Sequence, residues 1–126
     1  TLNGHLSYVN AIALSSDSEY VVSGSGDKKI KIWEFTTGNI IIRTIIGHSA
    51  SINVVTLSSD GKYVVSGSND KTVKIWEFAT RKEIATFTSE GSICCCGITS
   101  DGTTIIAGDV LGNLHFLRLE NIEVLS

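Results

Sequence analysis

A stretch of 22 residues occurs nearly twice in this chain of 126 residues. LSSDSEYVVSGSGDKKIKIWEF (Leu14 to Phe35) returns 43 residues later as LSSDGKYVVSGSNDKTVKIWEF (Leu57 to Phe78), identical at 17 of the 22 positions. A fixed period of that length means a stack of like units. One unit cannot bury its own apolar face, so each must lean on its neighbours. A third, weaker copy follows: TSDGTTIIAGD (Thr99 to Asp109) matches Ser58 to Ser68 at an offset of 41. The units are expected at about 1–46, 47–88 and 89–126, in one segment covering 1–126.

Within a unit the apolar period is two, which marks strands. In the second, Ile52, Val54 and Thr56 alternate with Val55 and Leu57. Asp60-Gly61 then signals a hairpin. Tyr63 to Ser66, Val73 to Trp76 and Glu83 to Phe87 read as three more strands, and Ile40 to Ile45 is the first unit's fourth strand. Asn121 to Val124 would be the last unit's fourth. Both strand faces are largely apolar, so each sheet is expected to be sandwiched between others. The fold class predicted is all-β, with four-stranded antiparallel sheets arranged radially as β-propeller blades, three to a chain.

The motifs resemble the WD-repeat family of propellers. Gly4-His5 and Gly47-His48 are similar to its Gly-His pair, and Ser23-Gly24-Ser25 and Ser66-Gly67-Ser68 to the end of its second strand. Asp27 and Asp70 stand at its turn aspartate. Trp33-Glu34 and Trp76-Glu77 stand where the family has Trp-Asp, with Glu for Asp. The resemblance implies a hydrogen-bonded set in each complete unit: His5, Ser23, Asp27 and Trp33, then His48, Ser66, Asp70 and Trp76. The chemistry supports such a set, because a buried indole N–H needs an acceptor and a buried carboxylate needs donors. In the third unit Ser89, Ala107, Leu111 and Leu117 take those places. A plain apolar core is expected there.

An Asp-His-Ser chain also invites a nucleophilic reading. A serine committed to tryptophan and a set occurring twice favour a structural staple, so no catalytic residue and no enzyme activity is expected. The resemblance further implies protein partners on the propeller face, at Leu6, Tyr8, Gly26, Ser49, Ser51, Asn69, Glu90, Ser92 and Val110. Tyr8 is the expected anchor, since exposed aromatics dominate interface energetics. Near-identical repeats also resemble those of long bacterial WD-repeat proteins, whose arrays are appended to signalling ATPases. No ATPase sequence is present in this chain.

Composition excludes little more. The net charge of -3 gives no general attraction to nucleic acid or to an anionic membrane, and no apolar run approaches a membrane span. The three cysteines are consecutive, Cys94 to Cys96. Neighbours on a strand point to opposite faces, so they cannot converge on one metal; core filling and a reducing, cytoplasmic setting are expected. His115 is expected on an exposed strand position. Lys28, Lys29 and Lys31 solvate an edge, and Gly24 and Gly26 lack the following Lys-Ser/Thr of a phosphate loop. No metal or cofactor is predicted. Three blades cannot close a ring, so further blades are expected from a longer chain or from other copies, with a dimer of six blades favoured over a trimer of nine.

Overall fold

The computed structural model describes residues 4–36 and 39–118. These residues hold eleven strands. β1 (Val9–Leu14), β2 (Tyr20–Ser25), β3 (Lys29–Thr36) and β4 (Asn39–Ile46) form the first sheet. β5 (Ile52–Leu57), β6 (Tyr63–Ser68), β7 (Thr72–Glu77) and β8 (Glu83–Thr88) form the second. β9 (Ile93–Ile98), β10 (Thr104–Asp109) and β11 (Leu114–Arg118) form the third. Every pairing is antiparallel and runs in chain order, so each sheet is a meander. The expected twelfth strand, Asn121 to Val124, lies outside the described residues.

The sheets stack as blades. β5 packs on β1 and β2, and β9 on β5 and β6. One core joins Val22, Ile30, Ile32 and Ile45 of the first blade to Ile52, Val55, Val64 and Trp76 of the second. Another joins Val65, Val73 and Ile75 of the second to Ile93, Ile105 and Ala107 of the third. Val64 and Val65 point to opposite faces of one strand, yet both are 0% exposed. Only a sheet covered on both sides allows that.

Two devices let the blades approach. Gly24 and Gly67 leave holes that the next blade fills: a methyl group on Gly67 would stand 2.4 Å from Ile93 Cγ2, and one on Gly24 2.6 Å from Ile52 Cγ2. The innermost strand of every blade also breaks register at one place, at Asn10, Asn53 and Cys94. The bulged asparagines turn towards the next blade, where Nδ2 of Asn10 donates to Ile52 O and Nδ2 of Asn53 to Ile93 O, both at 2.9 Å.

The turn after each first strand is longer than a two-residue hairpin and is held by a repeated Ser/Thr–Asp pair. Ser58 Oγ donates to Asp60 Oδ1 at 2.6 Å and accepts from Tyr63 N at 3.0 Å, while Lys62 N donates to Asp60 at 3.0 Å. Ser15 with Asp17 and Thr99 with Asp101 repeat the arrangement. Those short bonds hold the Asp17, Asp60 and Asp101 carboxyls below the usual carboxylate range.

Candidate functional site

In the second blade, Trp76 on β7 donates its indole N–H to Ser66 Oγ on β6 at 2.9 Å. Ser66 Oγ lies 2.6 Å from His48 Nε2, and His48 Nδ1 lies 2.8 Å from Asp70 Oδ2. The direction of this chain follows from its ends. Tryptophan can only donate, so the serine proton goes to Nε2, and the histidine carries its own proton on Nδ1, facing the carboxylate. Burial lowers the His48 pKa further than the neighbouring Asp70 carboxylate raises it, which keeps the ring neutral. Burial pushes Asp70 up, but the bonds from Thr72, His48 and Ser49 N outweigh it and hold the carboxyl at about 2.

The first blade repeats the geometry. Trp33 Nε1 to Ser23 Oγ is 2.8 Å, Ser23 Oγ to His5 Nε2 is 2.6 Å and His5 Nδ1 to Asp27 Oδ2 is 2.9 Å. Leu6 N and Lys29 N donate to the same carboxylate. Each set ties the entry loop, β2 and β3, or β5's entry loop, β6 and β7, into one unit. As a nucleophile Ser66 is badly placed: it is fully buried, its lone pairs already receive tryptophan, and a second identical set sits one blade away.

The third blade corrects two expectations. Its staple site is not apolar, and His115 is not an idle strand residue. Ser89 Oγ donates to Asp109 Oδ2 at 2.9 Å, and His115 Nε2 lies 2.9 Å from the same oxygen. Asp109 sits two residues before Leu111, the place of the turn aspartate, at the position of Ser68. It does the work of both. It accepts from Leu111 N as Ser68 Oγ does from Asp70 N, and from Asn113 N as Asp70 does from Thr72 N. The bond from His115 leads the interactions that hold its carboxyl far below the usual range, against the opposing pull of burial. With Leu117 in place of tryptophan, no indole remains to be satisfied, so Ala107 can replace the serine.

The cysteines also depart from the expected core filling. Cys96 packs beside Ile93 and Ile105, and burial pushes its thiol up to about 12. Cys94 and Cys95 are exposed. The former occupies the bulge, and the latter lies on the sheet face that no described blade covers.

The predicted partner-binding positions gather on one rim. Gly26 N donates to Tyr8 O, Asn69 N to Ser51 O and Val110 N to Ser92 O, each at 2.9 Å. Leu6 and Tyr8 are 86% and 83% exposed, and Ser49, Glu90, Asn69 and Val110 are exposed as well. Gly26, Ser51 and Ser92 are half-buried. Ser51 and Ser92 are engaged between blades: Asn10 Nδ2 donates to Ser51 Oγ at 3.2 Å, and Ser92 Oγ donates to Asn69 O at 3.3 Å.

Sequence reasoning missed the Asn10 and Asn53 bridges and the Ser/Thr–Asp turns, although Ser-x-Asp or Thr-x-Asp in all three units was a signal for the latter. Among the described residues no group of three or more His, Cys, Asp or Glu could hold a metal, and no helix is long and apolar enough to cross a membrane. A cleft of about 360 Å³ between β8 and β11 is lined by Ile75, Ala85, Thr86, Phe87, Phe116, Leu117 and Arg118, with no carboxylate or histidine among them.

A family model described as the TEP-1 C-terminal beta-propeller matches residues 48–119, more than half of the chain, and one described as WD domain, G-beta repeat matches residues 1–34. The chain belongs to the WD-repeat β-propellers. Over 42 residues, 33% of the chain, it is 50% identical to the Ribosome biogenesis protein BOP1 homolog of Drosophila grimshawi, and the same figures hold for that of Drosophila melanogaster. The match spans 5% of those proteins' length. Glu34 and Glu77 are this WD-repeat chain's departure from the Trp-Asp pair, and neither joins a staple: Glu34 accepts from Tyr20 Oη at 3.3 Å and Glu77 from Thr80 Oγ1 at 2.8 Å.

Proposed function

We propose that this chain is a non-catalytic protein–protein interaction scaffold, three WD-repeat blades completed into a ring by further blades. The observation that carries this reading is the contrast between interior and rim. The buried serines, valines and tryptophans of the first blade recur in the second, and the third keeps a buried apolar frame with a polar staple of its own. Along the rim, Leu6, Ser49 and Glu90 occupy one equivalent position and Tyr8, Ser51 and Ser92 another, held by the same backbone bonds. A rigid frame with side chains that vary at its mouth suits recognition of a protein surface. Tyr8 is the anchor, with Leu6 beside it. The likeness to the BOP1 homologs is about one repeat long, so ribosome biogenesis stays with those proteins.

The further blades come from other copies of the chain or from a longer parent chain. Two copies supply six blades, within the usual range of four to eight, and a dimer is the assembly proposed. The test of the scaffold is affinity capture by the native chain and by a double variant, Leu6→Asp with Ser49→Arg, checked for an unchanged circular dichroism spectrum. Proteins captured by the native chain and lost by the variant are the expected result. Identical captures would overturn the rim as a recognition surface.

A further inference from the structure

The two seams inside the chain show what a blade face requires, and both outer faces are built to that template. At the second seam a methyl group on Gly67 would meet Ile93 Cγ2 at 2.4 Å and Val54 Cγ1 at 2.8 Å, so Ile93 and Val54 meet over the glycine. The third blade keeps the hole. A methyl group on Gly108 would meet Cys95 Sγ at 2.7 Å, Cys95 standing where Val54 does. The residue equivalent to Ile52 and Ile93 in the first blade is Val9, which is 54% exposed at the opposite end of the arc. Leu114 and Phe116 stand where Ile30 and Ile32, or Val73 and Ile75, stand in the inner blades. Those four are at most 2% exposed, whereas Leu114 and Phe116 are 64% and 65%.

We propose that the open face of the third blade is a docking site for the first blade of a second copy of this chain, with the partner's Val9 seated over Gly108. This rests on the reading that the arc is completed by further blades.

The two open faces are fitted to each other, not merely to any blade. At the rim, the inner seams set Gly26 beside Ser51 and Asn69 beside Ser92. The corresponding pair at the open seam is Val110 and the partner's Tyr8, so both members change together from small or polar to apolar. In the interior, Leu114 and Phe116 are larger than Val73 and Ile75, and the opposing Val9 is smaller than Ile93. Beside Gly108, where Leu114 Cδ2 also lies, the smaller Val9 offsets the larger Leu114, as close packing demands. Along the lower edge, Ser16 Oγ donates to Ser59 O and Ser59 Oγ to Ser100 O, and Ser100 is placed to continue that row onto the partner. The bulge bridge is lost, because Cys94 replaces asparagine and its Sγ turns to Gly108 O of its own blade at 3.4 Å. The seam between copies therefore has fewer polar bonds than the inner two and opens before the blades unfold.

The test uses the full chain in a Cys94→Ser, Cys96→Ala background, leaving Cys95. Val9→Cys is added and the protein is mildly oxidised. The expected result is a covalent multimer whose peptide map joins the new thiol to Cys95, with Thr80→Cys giving at most a small collisional fraction. In parallel, sedimentation of the unsubstituted chain should give a multiple of the 13.5 kDa chain mass, and Phe116→Lys should lower it to one chain with an unchanged circular dichroism spectrum. A multi-copy mass that survives Phe116→Lys without the Val9–Cys95 link would overturn this docking while leaving the arc completed by other contacts. A single-chain mass with a well-dispersed spectrum would overturn both.

Discussion

His115 Nε2 lies 2.9 Å from Asp109 Oδ2, which joins β11 to the end of β10 and rebuilds in the third blade a polar staple that position-by-position comparison of the repeats loses. The carboxylate also receives Ser89 and two backbone N–H groups. Its folded-state pKa is depressed, so its contribution to stability is present above the unfolded value, about 4, and is lost as pH falls towards the folded value. Asp109→Asn should therefore be less stable than the native chain at pH 7. The gap should narrow as pH is lowered from about 4 to 2. Urea unfolding at both ends of that window measures it, and a pH-independent gap would remove the carboxylate's charge from the account.

In the second blade the chain of bonds predicts unequal losses. His48→Ala strands the Ser66 hydroxyl and the Asp70 carboxylate and opens a cavity, a loss of about 3 kcal/mol. Ser66→Ala removes the acceptor of the Trp76 N–H and the donor to His48, costing about 2 kcal/mol. The double variant should lose clearly less than the sum, because the two act in one network. Chemical denaturation of the three variants supplies the cycle. Strict additivity would mean that the network is not shared. Asp70, held at about 2, adds an acid-sensitive share of about 1 to 2 kcal/mol that disappears over the same fall from pH 4 to 2.

Gly67→Ala should cost about 1 to 3 kcal/mol, because its methyl group would collide with Ile93 Cγ2 and Val54 Cγ1 at the seam between blades. The loss is one of crowding and not of backbone freedom. Combining it with Ile93→Ala should therefore cost less than the two separate losses added. Thermal melts of the single and double variants decide the point.

Lys71 holds a left-handed backbone, with φ of 73°, as does Lys28 at 74°, and the equivalent third-blade residue is Gly112 at 90°. A side chain there costs roughly 1 kcal/mol, partly offset by the greater freedom glycine brings to the unfolded chain. Lys71→Gly should raise stability by about 0.5 kcal/mol. An unchanged or lower melting temperature would show that the lysine stem makes contacts that outweigh the strain.

Most of the architecture was legible before any coordinate. Strands of alternating Val, Ile and Thr between Asp-Gly and Ser-x-Asp turns leave little choice of element, and Trp, Ser, His and Asp at repeated spacing mark the two full staples. The third staple was hidden because position-by-position alignment pairs Leu111, not Asp109, with Asp70. A carboxylate displaced by two residues along a strand and turn can still reach the same space. His115 was obscured for a related reason, since its equivalents Lys31 and Lys74 reach threonines on the neighbouring strand. The asparagine bridges depend on a bulge, and a bulge is a property of pairing register, not of one strand's composition.

The sequence by itself determined the period, the strands and which residues share a face of each blade, because alternation on a strand is a local geometric rule. Tertiary structure decided which of those faces lose water. Val9, Ile52 and Ile93 hold one repeat position, yet Val9 is 54% exposed and the other two are 0% exposed. The difference lies in what stacks on them, since the hydrophobic effect acts on area removed from water and that area belongs to a pair of blades, never to one.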